Sequence, residues 1–166
     1  SEVEINSKIQ FFEKIATEDI QETLIKSAAD LISDDAPNYQ YVAGRLINYH
    51  LRKMVYGQFE PPCLCDIIQD NIDAGFYDPE FTELYTKEEI DQLQSYIDHN
   101  RDEVLTYAAM EQFRGKYLVQ NRATGEIFET PQVAYMMIAA TLFAKYPADK
   151  RMKYIKDYYD AISKFL

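Results

Sequence analysis

Tyr117 to Gln132 reads YLVQNRATGEIFETPQ, and the architecture of the chain turns on this stretch. Tyr117-Leu118-Val119 is a β-prone run, Asn121 to Gly125 is rich in turn formers, and Ile127-Phe128 resumes the extended pattern. Thr130-Pro131 then supplies a helix N-cap with proline at the first helical position. The reading is a small β-hairpin over about 117–129, followed by a helix from Pro131 to Lys145. Inside that helix lies the longest apolar run of the chain, Val133 to Ala144 (VAYMMIAATLFA). Its length suits a buried core helix and falls short of the ~20 residues that cross a bilayer. Pro147 opens a last helix whose buried stripe is Met152, Ile155, Tyr159 and Ile162.

Upstream of the hairpin, helical periodicity dominates. Val3 to Ile15 carries Ile5, Ile9, Phe12 and Ile15 at helix-compatible spacing. Thr17 reads as the N-cap of a second helix, with Ile20, Leu24, Ala28, Leu31 and Ile32 on one face, stopping near Asp34-Asp35-Ala36-Pro37. A third helix runs from about Tyr39 to Tyr56 with Val42, Leu46, Tyr49 and Val55 inward, and with Arg52 and Lys53 complementing the dipole in its last turns. Gly57 and Pro61-Pro62 then break the chain, the best boundary between two substructures, 1–60 and 61–166. Beyond it Leu64 to Ala74 is an amphipathic helix closed by Gly75, and Asp78-Pro79 opens a short turn of helix. Thr86-Lys87-Glu88-Glu89 forms a capping box for a helix bearing Ile90, Leu93 and Ile97. A further helix spans Glu103 to Phe113 and ends at Gly115. The fold class is mainly α with one small hairpin.

Composition bounds the function. The chain has 166 residues, 47% hydrophobic and 27% charged, enough to bury a real core in one domain or slightly more. A formal net charge of -11 argues against a nucleic-acid-binding surface, which needs clustered Lys and Arg. The acidity suits solubility, or an acidic face that meets a partner subunit. No membrane span and no signal peptide can be read. The two cysteines, Cys63 and Cys65, are too few for a structural zinc site unless His50 or His99 joins them. They read as inert thiols at a helix entry, with a metal or redox role as the alternative, and they fit a reducing cytoplasm.

No glycine-rich phosphate loop, H-E-x-x-H or G-x-S-x-G occurs, and no carboxylate is paired with a base in a way that marks acid–base catalysis. His50 reads as a structural histidine late in the third helix. His99, within Asp98-His99-Asn100-Arg101-Asp102, reads as part of a polar helix junction. From these residues alone no active site can be assigned.

Two segments precede the hairpin at a fixed distance: TEDIQETLIKSAADLIS (Thr17 to Ser33) and NYQYVAGRLINYHLRKMVYGQFEPP (Asn38 to Pro62). The three together resemble the N-terminal region of the large, catalytic subunit of class I ribonucleotide reductase. The resemblance covers nearly the whole chain. It implies that 1–60 is the rear part of the family's ATP cone, its front segment being absent, and that 61–166 is the helical domain leading into a catalytic barrel. The family's radical-bearing and redox cysteines lie in that barrel, so the resemblance gives Cys63 and Cys65 no role and transfers no catalytic residue.

For the cone the resemblance implies ATP as activator and dATP as inhibitor. A Thr at the start of the second helix, a His one turn later and a Lys near the end of the third are the family's contacts. Thr17 and Lys53 match, and a helix N-terminus with a hydroxyl near an ammonium suits phosphate. Gln21 stands where the family has His, and it brings no positive charge. The cone's opening Lys-Arg-Asp-Gly segment does not precede Ser1. The implied parent enzyme reduces ribonucleoside diphosphates to deoxyribonucleotides, receives its radical from a small di-iron subunit and is recycled by thioredoxin or glutaredoxin. No cofactor is expected in this chain; ATP and dATP act as effectors of the parent. The expected partners are the rest of the large subunit, the small subunit and a nucleotide effector. The chain itself is expected to be a cytoplasmic, inactive piece, natural or truncated, that self-associates through apolar surface on its last two helices. The alternatives are a free-standing regulatory or subunit-interaction module and an all-α adaptor of similar architecture.

Overall fold

Gly44 sets how the first helices meet. The computed structural model describes residues 17–165, so the helix expected over Val3 to Ile15 lies outside the described residues. Helix α1 (Thr17–Ala29) is followed by α2 (Tyr39–Tyr56), which ends on Gly57 in the left-handed region (φ 70°), its N–H donating to the Lys53 carbonyl. The face of α2 that turns inward is Ala43, Gly44, Ile47, Asn48 and Leu51, while Val42 and Tyr49, expected inside, are exposed. The reason is steric. A Cβ on Gly44 would stand 2.2 Å from the Leu105 carbonyl oxygen, so α2 packs by its small-residue stripe against the 105–106 backbone.

That backbone is also where the expected Glu103–Phe113 helix breaks. Instead, a 3₁₀ turn His99–Val104 begins at Asp98, whose carboxylate accepts the Asn100 N–H at 3.1 Å. The chain then extends through buried Leu105, and Thr106 caps a new helix α6 (Tyr107–Gln112) by accepting the Ala109 N–H. A π-helical turn, Phe113–Tyr117, carries α6 straight through Gly115.

Between α2 and the 3₁₀ turn come α3 (Leu64–Asp73), α4 (Glu80–Leu84) and α5 (Lys87–Tyr96). Their sequence signals hold. Gly75 closes α3 at φ 79°, and the Thr86–Glu89 capping box is complete, with bonds of 2.9 and 3.2 Å. The last two helices are α7 (Pro131–Phe143) and α8 (Ala148–Ser163), the latter burying Met152, Ile155, Tyr159 and Ser163.

The hairpin is shorter than its sequence promises. The chain does reverse, with Gly125 at φ 78° and the Asn121 side chain accepting the Ala123 and Thr124 N–H groups. Among the described residues, however, pairing amounts to one antiparallel bridge, Gln120 to Ile127. Two substitutions for backbone pairing explain the loss. Tyr117 belongs to the π-helical turn, and the Val119 N–H goes to the buried Glu129 carboxylate at 2.9 Å instead of to a strand. Thr130 likewise holds the N-cap position before Pro131 without capping; its hydroxyl hydrogen-bonds Tyr56 at 3.0 Å.

Two apolar cores result. One gathers Ile25, Ile47, Leu51, Leu105, Met110, Leu118 and Ala134, drawing on both sides of residue 60. The other packs Leu64, Ile68, Tyr85, Leu93, Met136, Ile155 and Tyr159 from α3, the α4–α5 junction, α5, α7 and α8. Helix α7 serves both, which is why it is apolar on almost every side.

Candidate functional site

Thr17 opens α1 and is exposed, Gln21 lies half-buried one turn later, and Lys53 is exposed in the last turn of α2. Glu22 of α1 stands 4.0 Å from His50 Nδ1 of α2, so the first half of α1 meets the last turns of α2. Thr17 and Gln21 lie on the first of these stretches and Lys53 on the second. Among the described residues no hydrogen bond joins the three. Lys53 Nζ lies 5.9 Å from the centre of the Tyr49 ring, which is 43% exposed and also packs against Phe59 at 5.3 Å. The end thus offers a hydroxyl, an amide, a cation and a ring.

Next to it Arg114, from the π-helical turn, bridges Glu22 at 2.8 Å and Glu111 at 2.6 Å. Arg114 also lines a cavity of about 430 Å³ with Ile47, His50, Met54 and the Gly125 turn. His50 is buried there with an unpartnered Nδ1.

Sequence reasoning missed the buried polar chain behind this end. Arg52, expected to complement the helix dipole in the last turns, is only 4% exposed. Its guanidinium donates to the His99 carbonyl (2.9 Å) and to Asp102 (3.3 Å). Asp102 accepts from Gln132 (2.8 Å), whose carbonyl oxygen accepts from the Tyr159 hydroxyl (2.6 Å). This line crosses α2, the 3₁₀ turn, α7 and α8. Burial lifts Asp102 to about 6 against the pull of Gln132 and Arg52. Burial, with Arg52 close by, pushes His99 down to about 4. A second such tie is Arg151, which pairs with Glu89 at 2.7 Å, donates to the Leu84 and Ala144 carbonyls and covers the Tyr85 ring. A third is Glu129, bound by the Tyr77 hydroxyl and lifted above the usual carboxylate range by burial. Each of these groups pins backbone ends or neighbouring elements together, which is structural work.

Two surfaces complete the inventory. Cys63 and Cys65 face each other with Sγ atoms 2.7 Å apart and Asp66 beside them. The adjoining thiol, then Asp66, push Cys63 up to about 11. An apolar groove of about 560 Å³ runs between Phe81, Leu84, Tyr117, Met137, Ile138 and Leu142. Among the described residues no helix is long and apolar enough to cross a membrane.

Fold and surfaces together define a helical region without a catalytic constellation of its own among the described residues. Residues 103–166 match the model of the family "Ribonucleotide reductase, all-alpha domain". The chain is 54% identical over 165 residues to ribonucleoside-diphosphate reductase 1 subunit alpha of Escherichia coli, covering 99% of this chain and 22% of that protein. The subunit alpha of Haemophilus influenzae is 52% identical over the same shares, and that of Enterobacteria phage T4 is 45% identical over 158 residues, 95% of this chain and 21% of its own. Over nearly all of its length the chain is similar to the N-terminal region of ribonucleotide reductase large subunits. It spans about a fifth of the length of these relatives.

Proposed function

We propose that the chain is the allosteric and structural N-terminal part of a ribonucleoside-diphosphate reductase large subunit, and carries none of its reaction chemistry. The parent reaction is reduction of ribonucleoside diphosphates to deoxyribonucleotides, with catalytic cysteines in a barrel, a radical supplied by a small di-iron subunit and reducing equivalents from a thioredoxin or glutaredoxin. The observation that carries the reading is identity above 50% along 99% of the chain to reductase alpha subunits. The structure adds that the described buried ion pairs are tied into helix junctions.

The nucleotide effector, ATP or dATP, sits at the shared end of α1 and α2. The α1 N-terminus and Lys53 take the phosphates, Thr17 and Gln21 hydrogen-bond, and the Tyr49 face lies alongside. The region from Leu64 onward buttresses the barrel, and the exposed Ile138 (53%) and Leu142 (55%) of α7 supply the apolar surface for it. A cytoplasmic location follows from the parent reaction. Calorimetry of the chain with dATP tests the effector site: binding that Lys53→Ala weakens by about tenfold, the loss of roughly one charge-assisted contact, supports it. Absence of any heat, or equal affinity in the variant, removes the effector role. Turnover above background by the chain with a small subunit would overturn the assignment as non-catalytic. The second reading, a free-standing regulatory or interaction module, draws on the same α7 surface and is favoured if the chain captures a reductase barrel supplied separately.

A further inference from the structure

The entry to α3 is a firmly held, half-buried turn that the reductase reading leaves without a role. Pro61-Pro62 fixes the approach of the chain. Cys63 takes the N-cap position in an extended conformation (φ -64°, ψ 148°) without bonding the helix amides through its side chain. Leu64, between the two cysteines, is 1% exposed, and its N–H donates to the side-chain Oε1 of Gln94 in α5 at 2.8 Å. The residue linking the thiols is therefore anchored on both its backbone and its side chain. Cys63 and Cys65 are free and half-buried, with sulfurs 2.7 Å apart, and the Asp66 carboxylate lies 3.7 Å from the Cys65 sulfur. One donor atom from each of the three residues falls within 4.8 Å of the others.

Two sulfurs and one carboxylate oxygen converging from three nearly consecutive residues make a donor set for a thiophilic divalent cation. We propose that Cys63, Cys65 and Asp66 form a binding site for a zinc-class cation, with a fourth position open to water. Softness and geometry both select the class. Thiolates favour zinc and its heavier congeners over magnesium or calcium. Three protein ligands with one open position is the arrangement of an accessible tetrahedral zinc site. Zinc–sulfur bonds of about 2.3 Å put two sulfurs of a tetrahedral site roughly 3.7 Å apart. Rotation of either half-buried cysteine about its Cα–Cβ bond opens the pair to that spacing. On binding, the cation takes the place of the two thiol protons, which leave to solvent. The N-terminal end of α3, a helix of 10 residues, adds its positive dipole end to stabilise the two thiolates. The site does not depend on the reductase reading.

The test is titration of the reduced chain with Cd2+, following thiolate-to-metal charge-transfer absorption, then displacement with Zn2+. The expected result is a band that saturates at one ion per chain, is reversed by Zn2+ and ignores Mg2+. Cys63→Ser and Cys65→Ser each abolish it. Asp66→Asn keeps the band but weakens binding by roughly tenfold, as loss of a lesser ligand does. Alkylation of the unsubstituted chain gives a reading that no variant can confuse: Zn2+ protects both thiols, and a chelator restores their reaction. Absence of the band, competition by Mg2+ or an unchanged band in either serine variant overturns the proposal.

Discussion

Replacing Arg52 by Met keeps the aliphatic stem buried beside Asp102 and removes only the guanidinium. Asp102 has no exposed surface, and burial lifts its carboxyl from 3.8 to about 6. Because the folded value lies above the unfolded one, the ionised group costs nothing below about pH 3.8. The cost then grows as pH rises to about 6 and is constant beyond. At roughly 1.36 kcal/mol per pH unit, this standing cost is about 3 kcal/mol at pH 7. Without the guanidinium the carboxyl rises further, and more of the folded chain carries it protonated at pH 7. The interval over which the cost accumulates then lengthens toward pH 7, so losing the charge partner adds about 1 kcal/mol there. The lost bond from Arg52 to the His99 carbonyl adds about 1.5 kcal/mol at any pH. Arg52→Met is therefore expected to lose about 2.5 kcal/mol at pH 7 and about 1.5 kcal/mol at pH 5, where Asp102 is mostly protonated in both chains. Urea denaturation at the two pH values reads both numbers. Equal losses at pH 7 and pH 5, or a loss under about 1 kcal/mol at pH 7, would refute the account of Asp102 as a buried charge held by Arg52. Adding Asp102→Asn to Arg52→Met should recover the pH-dependent part alone.

Other outcomes follow from the same geometry. Gly44→Ala should lower stability by about 1–3 kcal/mol despite alanine's better helix propensity, because the new methyl meets the Leu105 carbonyl, and thermal denaturation decides the sign. Thr86→Ala removes the α5 capping box and should cost about 1 kcal/mol in the same assay, with no change at the α1–α2 end. Glu129→Ala leaves the half-buried Val119 N–H without its acceptor; a loss of about 1–3 kcal/mol and faster hydrogen exchange at the Val119 amide are expected, and unchanged exchange would contradict the 2.9 Å bond.

The helices were legible where the chain writes its own punctuation. Gly57, Gly75, the Thr86–Glu89 box and Pro131 mark their boundaries locally, and each stands where its chemistry demands. Sequence failed where a distant residue took over a local group. Periodicity alone puts Val42 and Tyr49 inside α2, since large apolar side chains usually face a core. The face was chosen instead by Gly44, which lets the 105–106 backbone come closer than any side chain allows. The hairpin failed for the same kind of reason. Its turn is local and was readable in Asn121 and Gly125, but its pairing was lost to Glu129, whose carboxylate takes an amide that β propensity had assigned to a strand.

Buried charge was the least readable feature of all, and it bears directly on the candidate site. Arg52 and Lys53 are neighbours in sequence and look interchangeable as dipole partners of α2, yet one is sealed against Asp102 and the other open beside Tyr49. A helix advances about 100° per residue, so adjacent positions face different surroundings, and only packing decides which of them is inside. The consequence is functional. Lys53 is the exposed cation of the two, the one the proposed nucleotide site calls on, while Arg52 is held back by bonds to the 3₁₀ turn. Substituting Arg52 should therefore change stability before it changes any nucleotide affinity, and substituting Lys53 should do the reverse. A crossed result, with Lys53→Ala unfolding the chain and Arg52→Met selectively weakening dATP binding, would mean that the two side chains have been assigned to the wrong faces of α2.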